Sequence, residues 1–169
     1  MKRRLLFLFA VFMVGASVGW GQMIPTYYKV AVGTDGDGSS AGSPIYKTNL
    51  ETALSDAASS SLDSVIILLP EGEYSANAAP YSITKSSLAI IGEGDTSTVT
   101  IKSPVDIELT NGGNVSFQKV HLTAKTSTGR GVVDIKSSKT TVSFSESKIT
   151  IEGRGTGDSG SGACFGIVS

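Results

Sequence analysis

Two aspartates stand 28 residues apart in matching surroundings, Asp106 in VDIEL (105–109) and Asp134 in VDIKS (133–137). Carboxylates held against each other can share a proton, shift each other's pKa or hold a cation. They are the weak catalytic candidates of this chain, and two solvated carboxylates on a strand face are the simpler account, because structural charges outnumber functional ones. The sole histidine, His121, alternates with apolar neighbours in VHL and falls 27 residues before Lys148. That placement suits a surface histidine better than a metal ligand.

Three other stretches have the look of sites and fail on inspection. Gly157-Asp158-Ser159-Gly160-Ser161 has the order of a serine-protease nucleophile loop, but His121 lies only 38 residues upstream on a strand. A triad also needs an acid to orient its base, so Gly153–Gly162 reads as a flexible loop. Asp35-Gly36-Asp37-Gly38-Ser39 opens like a calcium loop, yet Tyr46 stands where the bidentate Glu of position 12 belongs. No cofactor and no metal site are expected; calcium at that loop is the one weak candidate. Cys164 is the only cysteine, which excludes an internal disulfide framework and suits a small buried residue. Asn114-Val115-Ser116 is a glycosylation sequon, meaningful only in a eukaryotic secretory host.

The elements that position these residues begin after an export signal. Lys2, Arg3 and Arg4 precede an apolar run, Leu5–Val18, and Gly19 and Gly21 put small residues at −3 and −1 of a cleavage before Gln22. This is the layout of a secretory signal peptide over 1–21. The run is short for the ~20 residues of a membrane span. The mature chain is therefore expected to be secreted or at the cell surface, with no membrane span. With 14 Lys and Arg against 15 Asp and Glu, the net charge of −1 offers no electrostatic case for nucleic acid.

The chain after residue 21 is long enough for one domain, expected as a cap and first coil over 22–98 and further coils over 99–169. Over 22–98, Val30–Gly33 reads as a strand running into a loop, and Thr48 with Glu51 fits a capping box. Leu50, Ala53, Leu54, Ala57 and Ala58 fall on one helical face. Val65–Leu69 is apolar on both faces, as strands of parallel sheets are, and stops at Pro70 and Gly72; Leu88–Ile91 repeats it and stops at Gly92-Glu93-Gly94. Over 99–169 the pattern becomes strict alternation, the mark of half-buried strands. VSFQKVHLTAK (115–125) matches VSFSESKITIE (142–152) at a shift of 27, and VDIEL matches VDIKS at 28.

A period in this range suits a solenoid. If coils stack in parallel, residues one period apart lie about 4.8 Å apart. Lys119 then meets Glu146, Lys125 meets Glu152 and Glu108 meets Lys136, while Ser116 meets Ser143 and Thr123 meets Thr150. Each such charge pair is worth about 0.2–1 kcal/mol, and one register produces all three. The fold expected is an all-β solenoid, a right-handed parallel β-helix with an N-terminal capping helix. A β-sandwich is the alternative, in which those charge pairs have no common cause. Gly166-Ile167-Val168-Ser169 stops in what should be a strand, so the coils over 99–169 are expected to continue, or the bare edge to be covered by self-association.

The order of these segments resembles one known superfamily. Val30-Ala31-Val32-Gly33-Thr34-Asp35-Gly36, Pro44, the helix Leu50 to Ala57, Val65 to Tyr74 and Leu88 to Gly94 follow one another as in the N-terminal part of right-handed parallel β-helix proteins of the pectin-lyase-like superfamily. The spacing before the helix is most similar to uncharacterised bacterial surface modules of that superfamily. The resemblance covers Val30–Ile101. It implies contact with acidic polysaccharide, since the superfamily includes pectate lyases and pectin methylesterases. The methylesterases use two aspartates, an arginine and glutamines; Asp106, Asp134 and Arg130 or Arg154 are the residues of those types here, without the surrounding catalytic motifs. The expectation is a non-catalytic bacterial surface or secreted module, a stalk, adhesin or glycan-contacting face whose partner is a polysaccharide or a cell-surface glycan. The second reading is the N-terminal part of a polysaccharide lyase or carbohydrate esterase.

Overall fold

The computed structural model describes residues 24–59, 63–75, 81–83, 87–102, 105–109, 113–125, 133–135, 140–152 and 165–167. The described residues form parallel β-sheets with one short helix. In order come β1 (Thr26–Val30), β2 (Ile45–Lys47), α1 (Leu50–Ser59), β3 (Ser64–Leu69), β4 (Gly72–Tyr74), β5 (Tyr81–Ile83), β6 (Ser87–Gly92) and β7 (Val99–Ile101). Then follow β8 (Val105–Leu109), β9 (Gly113–Gln118), β10 (His121–Lys125), β11 (Val133–Ile135), β12 (Thr140–Ser145), β13 (Lys148–Glu152) and β14 (Phe165–Ile167).

From β3 onward every third strand enters the same sheet. The first sheet runs β12-β9-β6-β3-β1-β2, the second β13-β10-β7-β4 and the third β14-β11-β8-β5. Each pairing among the described strands is parallel. A sandwich of the kind weighed above needs antiparallel sheets. The expected register holds where the repeat is clearest: Val142 pairs with Val115, Thr150 with Thr123 and Asp134 with Asp106.

Alternation puts one side chain in two into a shared interior. Val65, Leu88 and Val115 form one fully buried inward row, and Ile67, Ile90 and Phe117 form the next. The Phe117 ring stacks on Phe144, with centroids 5.2 Å apart and planes at 7°, an offset arrangement worth roughly 0.5–1.5 kcal/mol beyond burial. The second sheet adds Val99, Ile101 and Leu122, all without solvent contact. Val142, Phe144 and Ile149, in the last coil with described side chains, are only partly buried.

Helix α1 packs against β1, β2 and β5 and buries Leu50, Ala53, Leu54 and Ala57 of the predicted face completely and Ala58 in part. Its cap differs from the capping box expected of Thr48 and Glu51. Asn49 is the cap: its Oδ1 accepts from the Thr52 N–H at 2.7 Å and from the Thr52 hydroxyl at 2.9 Å. The residue directly before the first helical turn has the geometry to reach the third helical N–H, and Thr48 stands one position too early.

Two further boundaries move. The first strand is Thr26–Val30 rather than Val30–Gly33, because Tyr28 and Val30 point inward while Val32 is wholly exposed. The stop at Pro70 and Gly72 is a corner, not an end: the chain turns and resumes at once as β4. Gly72 adopts φ 152°, which side chains rarely allow. The Tyr74 hydroxyl closes the corner by donating to the Pro70 carbonyl at 2.6 Å. SVIILL is thus laddered on both edges, by β1 and β6. Its inward Val65, Ile67 and Leu69 are fully buried, and of its outer residues Leu68 is covered while Ile66 is half-buried.

Candidate functional site

The outer face of the second sheet carries a row of polar side chains. Glu73 pairs with Thr100, Thr100 with His121 and His121 with Lys148, so four polar residues from β4, β7, β10 and β13 form one row across the sheet. Strand spacing sets about 4.8 Å between neighbours in that row. Thr123 and Thr150 begin the next. Two diagonal contacts knit the rows. Lys102 Nζ lies 2.6 Å from Glu73 Oε2, and His121 Nε2 lies 2.8 Å from Thr150 Oγ1. The first pair is largely exposed, at 49% and 68%, so it organises the surface more than it stabilises it. Burial, with the Lys148 charge next door, holds the His121 pKa below its ordinary 6.5. At neutral pH the ring is uncharged and shares a hydrogen bond with Thr150.

The sequence placed His121 beside Lys148, and the register agrees. Glu73 and Thr100 were missed. Between Gly92 and Val99 six residues, 93–98, loop out where the next coil turns with Lys119 and Val120 alone. The shift from Thr100 to His121 is therefore 21 rather than 27, and a search at one period passes over it.

That loop clasps its neighbours. Lys29 in β1 meets Glu93 at 2.8 Å, the Glu93 N–H donates to the Leu69 carbonyl and the Gly72 N–H to the Thr98 carbonyl, both at 2.8 Å. On the far side the Thr96 hydroxyl donates to the Glu146 carbonyl. The predicted Lys119–Glu146 pair forms at 3.9 Å. It sits at the corner rather than on a strand.

Asp106 and Asp134 are Cα partners in β8 and β11, so the backbone does bring the two candidates together; their side-chain geometry lies outside what the structure describes. Lys125 and Glu152 are likewise in register. Lys136, Arg130, Arg154, Cys164, the 157–161 stretch and the cleavage site Gly21–Gln22 fall outside the described residues. In the Asp35–Ser39 loop both carboxylates accept hydrogen bonds from the protein, Asp35 from β2 and Asp37 from within the loop. Asp35 accepts from the Tyr46 N–H at 2.7 Å, and Asp37 from the Ser39 N–H at 3.0 Å and its hydroxyl at 2.7 Å. The Ser39 bonds hold the Asp37 pKa below the usual carboxylate range. Among the described residues no group of three or more His, Cys, Asp or Glu is placed to hold a metal ion. No helix among them is long and apolar enough to cross a membrane.

No protein-family model, curated protein or solved structure matches this chain.

A cleft of about 390 Å³ opens between the start of α1 and β4, lined by Val30, Asn49, Glu51, Glu73, Tyr74 and Ser75 among others. Burial, and Glu93 second, push the Tyr74 pKa up, so its phenol stays protonated as the donor to Pro70. The cleft joins the lower end of the polar row at Glu73. Together they offer hydrogen-bonding groups along one sheet.

Proposed function

We propose that the chain is an exported β-helix module, right-handed and capped by α1, which contacts a polysaccharide or cell-surface glycan and performs no chemistry on it. The reading places it on a bacterial surface or in the medium, released by cleavage between Gly21 and Gln22, as a stalk or adhesin. The observation that carries it is the row Glu73–Thr100–His121–Lys148, continued by Thr123 and Thr150, on one sheet of parallel strands. Polar groups repeating at strand spacing on a stiff face suit a hydroxyl-rich polymer, because rigidity limits the ordering cost of binding.

Two experiments test it. With Cys164→Ser as background, Ser116→Cys with Ser143→Cys should form an intrachain disulfide. These two residues are Cα partners, within the range a disulfide spans; no cross-link would remove the stacked-coil reading. On a glycan array, binding without product is expected, weakened by His121→Ala or Lys102→Ala. Equal binding by both variants would move the contact elsewhere.

The second reading, the N-terminal part of a polysaccharide lyase or pectin-methylesterase-like enzyme, is favoured by the register of Asp106 on Asp134. Asp106→Asn with Asp134→Asn decides it: an unchanged rate of depolymerisation or ester release takes this pair out of catalysis.

A further inference from the structure

The cleft between the start of α1 and β4 shares Glu73 with the polar row. Its volume, about 390 Å³, falls at the small end of the ~300–1,000 Å³ usual for small-molecule sites. That is room for a ring or two of a saccharide, not for a wrapped chain. Val30 and Leu50 of its lining belong to the core, so that part of the wall is held by packing. Thr48, Asn49, Glu73 and Ser75 are exposed and bring their polar groups to solvent.

The internal bonds of the lining decide what it offers a ligand. Asn49 gives its Oδ1 to the Thr52 N–H and hydroxyl, which leaves the side-chain NH2 as a donor. Tyr74 gives its hydroxyl to the Pro70 carbonyl, which leaves the ring as an apolar wall beside Val30. Lys102 meets Glu73 at Oε2 and steadies that carboxylate where cleft and row join. A carboxylate has about four acceptor positions, so Glu51 and Glu73 accept from a ligand beside the bonds they hold. Thr48 and Ser75 add hydroxyls that both donate and accept. Acceptors, hydroxyls and an aromatic wall together match a ring with neighbouring hydroxyls and an apolar carbon face.

Charge selects among such rings. The described residues lining the cleft include two Glu and no Lys or Arg. The start of a helix favours anions, but Glu51 already stands in the first turn and Asn49 takes the Thr52 N–H. A uronic acid would set a third carboxylate against two, and like charges oppose binding. An amino sugar would compete with Lys102 for Glu73. An uncharged ring meets neither obstacle.

We infer that this cleft is a subsite for one uncharged pyranose unit of a glycan, with Glu51 and Glu73 accepting from its ring hydroxyls and Val30 and Tyr74 against its carbon face. The inference rests on the reading of the row as a glycan-contacting face. It adds a place where one unit is gripped, and a selection against the acidic units that the superfamily resemblance implies.

The test is calorimetric titration of the full chain, expressed with its own leader. Hexasaccharides of glucose, mannose, galactose and xylose are the neutral probes, hexagalacturonate the acidic one and hexaglucosamine the basic one. A neutral probe should bind at least about tenfold more tightly than either charged probe. Glu51→Gln should weaken that probe about fivefold, because a charge-assisted bond becomes an ordinary one, and should narrow the gap to hexagalacturonate. Thr48→Trp, at an exposed position, fills the cleft and should abolish the neutral preference. The two variants are independent, so misfolding of one, read by circular dichroism, leaves the other to decide. A charged probe as the tightest ligand, or neutral binding untouched by the cleft variants, would overturn the subsite. His121→Ala separates the two failures. If it weakens binding while the cleft variants do not, the row stands and the subsite falls. If no probe of any charge binds the parent, the glycan reading falls, and the subsite with it.

Discussion

Lys119 and Glu146 occupy the same corner one coil apart, and both do so with a left-handed backbone, φ 53° and 49°. Neither residue type prefers that conformation, which costs about 1–2 kcal/mol where a Cβ is present. The corner persists because ladder bonds surround it: the Lys119 N–H donates to the Ser145 carbonyl and the Lys148 N–H to the Val120 carbonyl, both at 3.0 Å. Stacking thus holds the backbone in place, and the 3.9 Å ion pair between the side chains is a consequence.

If so, backbone preference at Lys119 should outweigh its charge. Lys119→Asn, which tolerates this region, is expected to be more stable than Lys119→Val by at least about 1 kcal/mol in urea unfolding. Glu146→Gln, which removes only an exposed pair, should cost less than about 0.5 kcal/mol.

Gly92 marks the coil below. A Cβ built there would stand 2.1 Å from the Lys119 carbonyl oxygen, a backbone atom with little room to yield. Gly92→Ala should therefore lose more than about 2 kcal/mol. At Gly42 the nearest atom is the Ser40 hydroxyl, 3.9 Å away, and Gly42→Ala should change stability by no more than about 0.5 kcal/mol. Thermal melts of the two variants give the comparison.

The helix cap yields a paired result. Asn49→Ala removes the acceptor for the Thr52 N–H and should cost about 1 kcal/mol. Thr48→Ala leaves that bond in place and should cost much less. Equal losses would return the cap to Thr48.

His121 gives the fold a dependence on acid. Its folded pKa lies below the 6.5 of an unconstrained ring, so the unfolded chain takes up the proton first as pH falls. Linkage then requires stability to decline as pH drops below about 6.5, and to level off once the folded ring is protonated too. Melting temperatures at pH 8 and pH 5 should differ more for the parent than for His121→Gln. Lys148→Met, which removes the neighbouring charge, should shrink the difference as well.

What the sequence made legible follows the physics of half-burial. VSFQ and VSFS alternate strictly because one side of β9 and β12 faces a shared core, and that alternation fixed both strands and their register of 27. β4 was hidden for the opposite reason. Gly72-Glu73-Tyr74 has no apolar alternation, and it is a strand only because β7 ladders against it. Ala31 and Val32 misled in the other direction, being apolar without being buried. The polar row was half legible: His121 and Lys148 share the period, while Glu73 and Thr100 lie beyond the looped-out 93–98. Neighbours across a sheet can be found by period only as far as the segments between paired strands are of equal length.

The 93–98 loop also changes how the stack would come apart under load. In a plain solenoid each layer leans only on the next, and pulling one end would peel the layers off singly at low force. Here Glu93 grips Lys29 two layers one way and Thr96 grips Glu146 two layers the other. Tension applied at either end reaches the middle layer through a bond that skips a neighbour. A load along the first sheet is then shared by strands from β1 to β12 instead of passing only from each strand to the next.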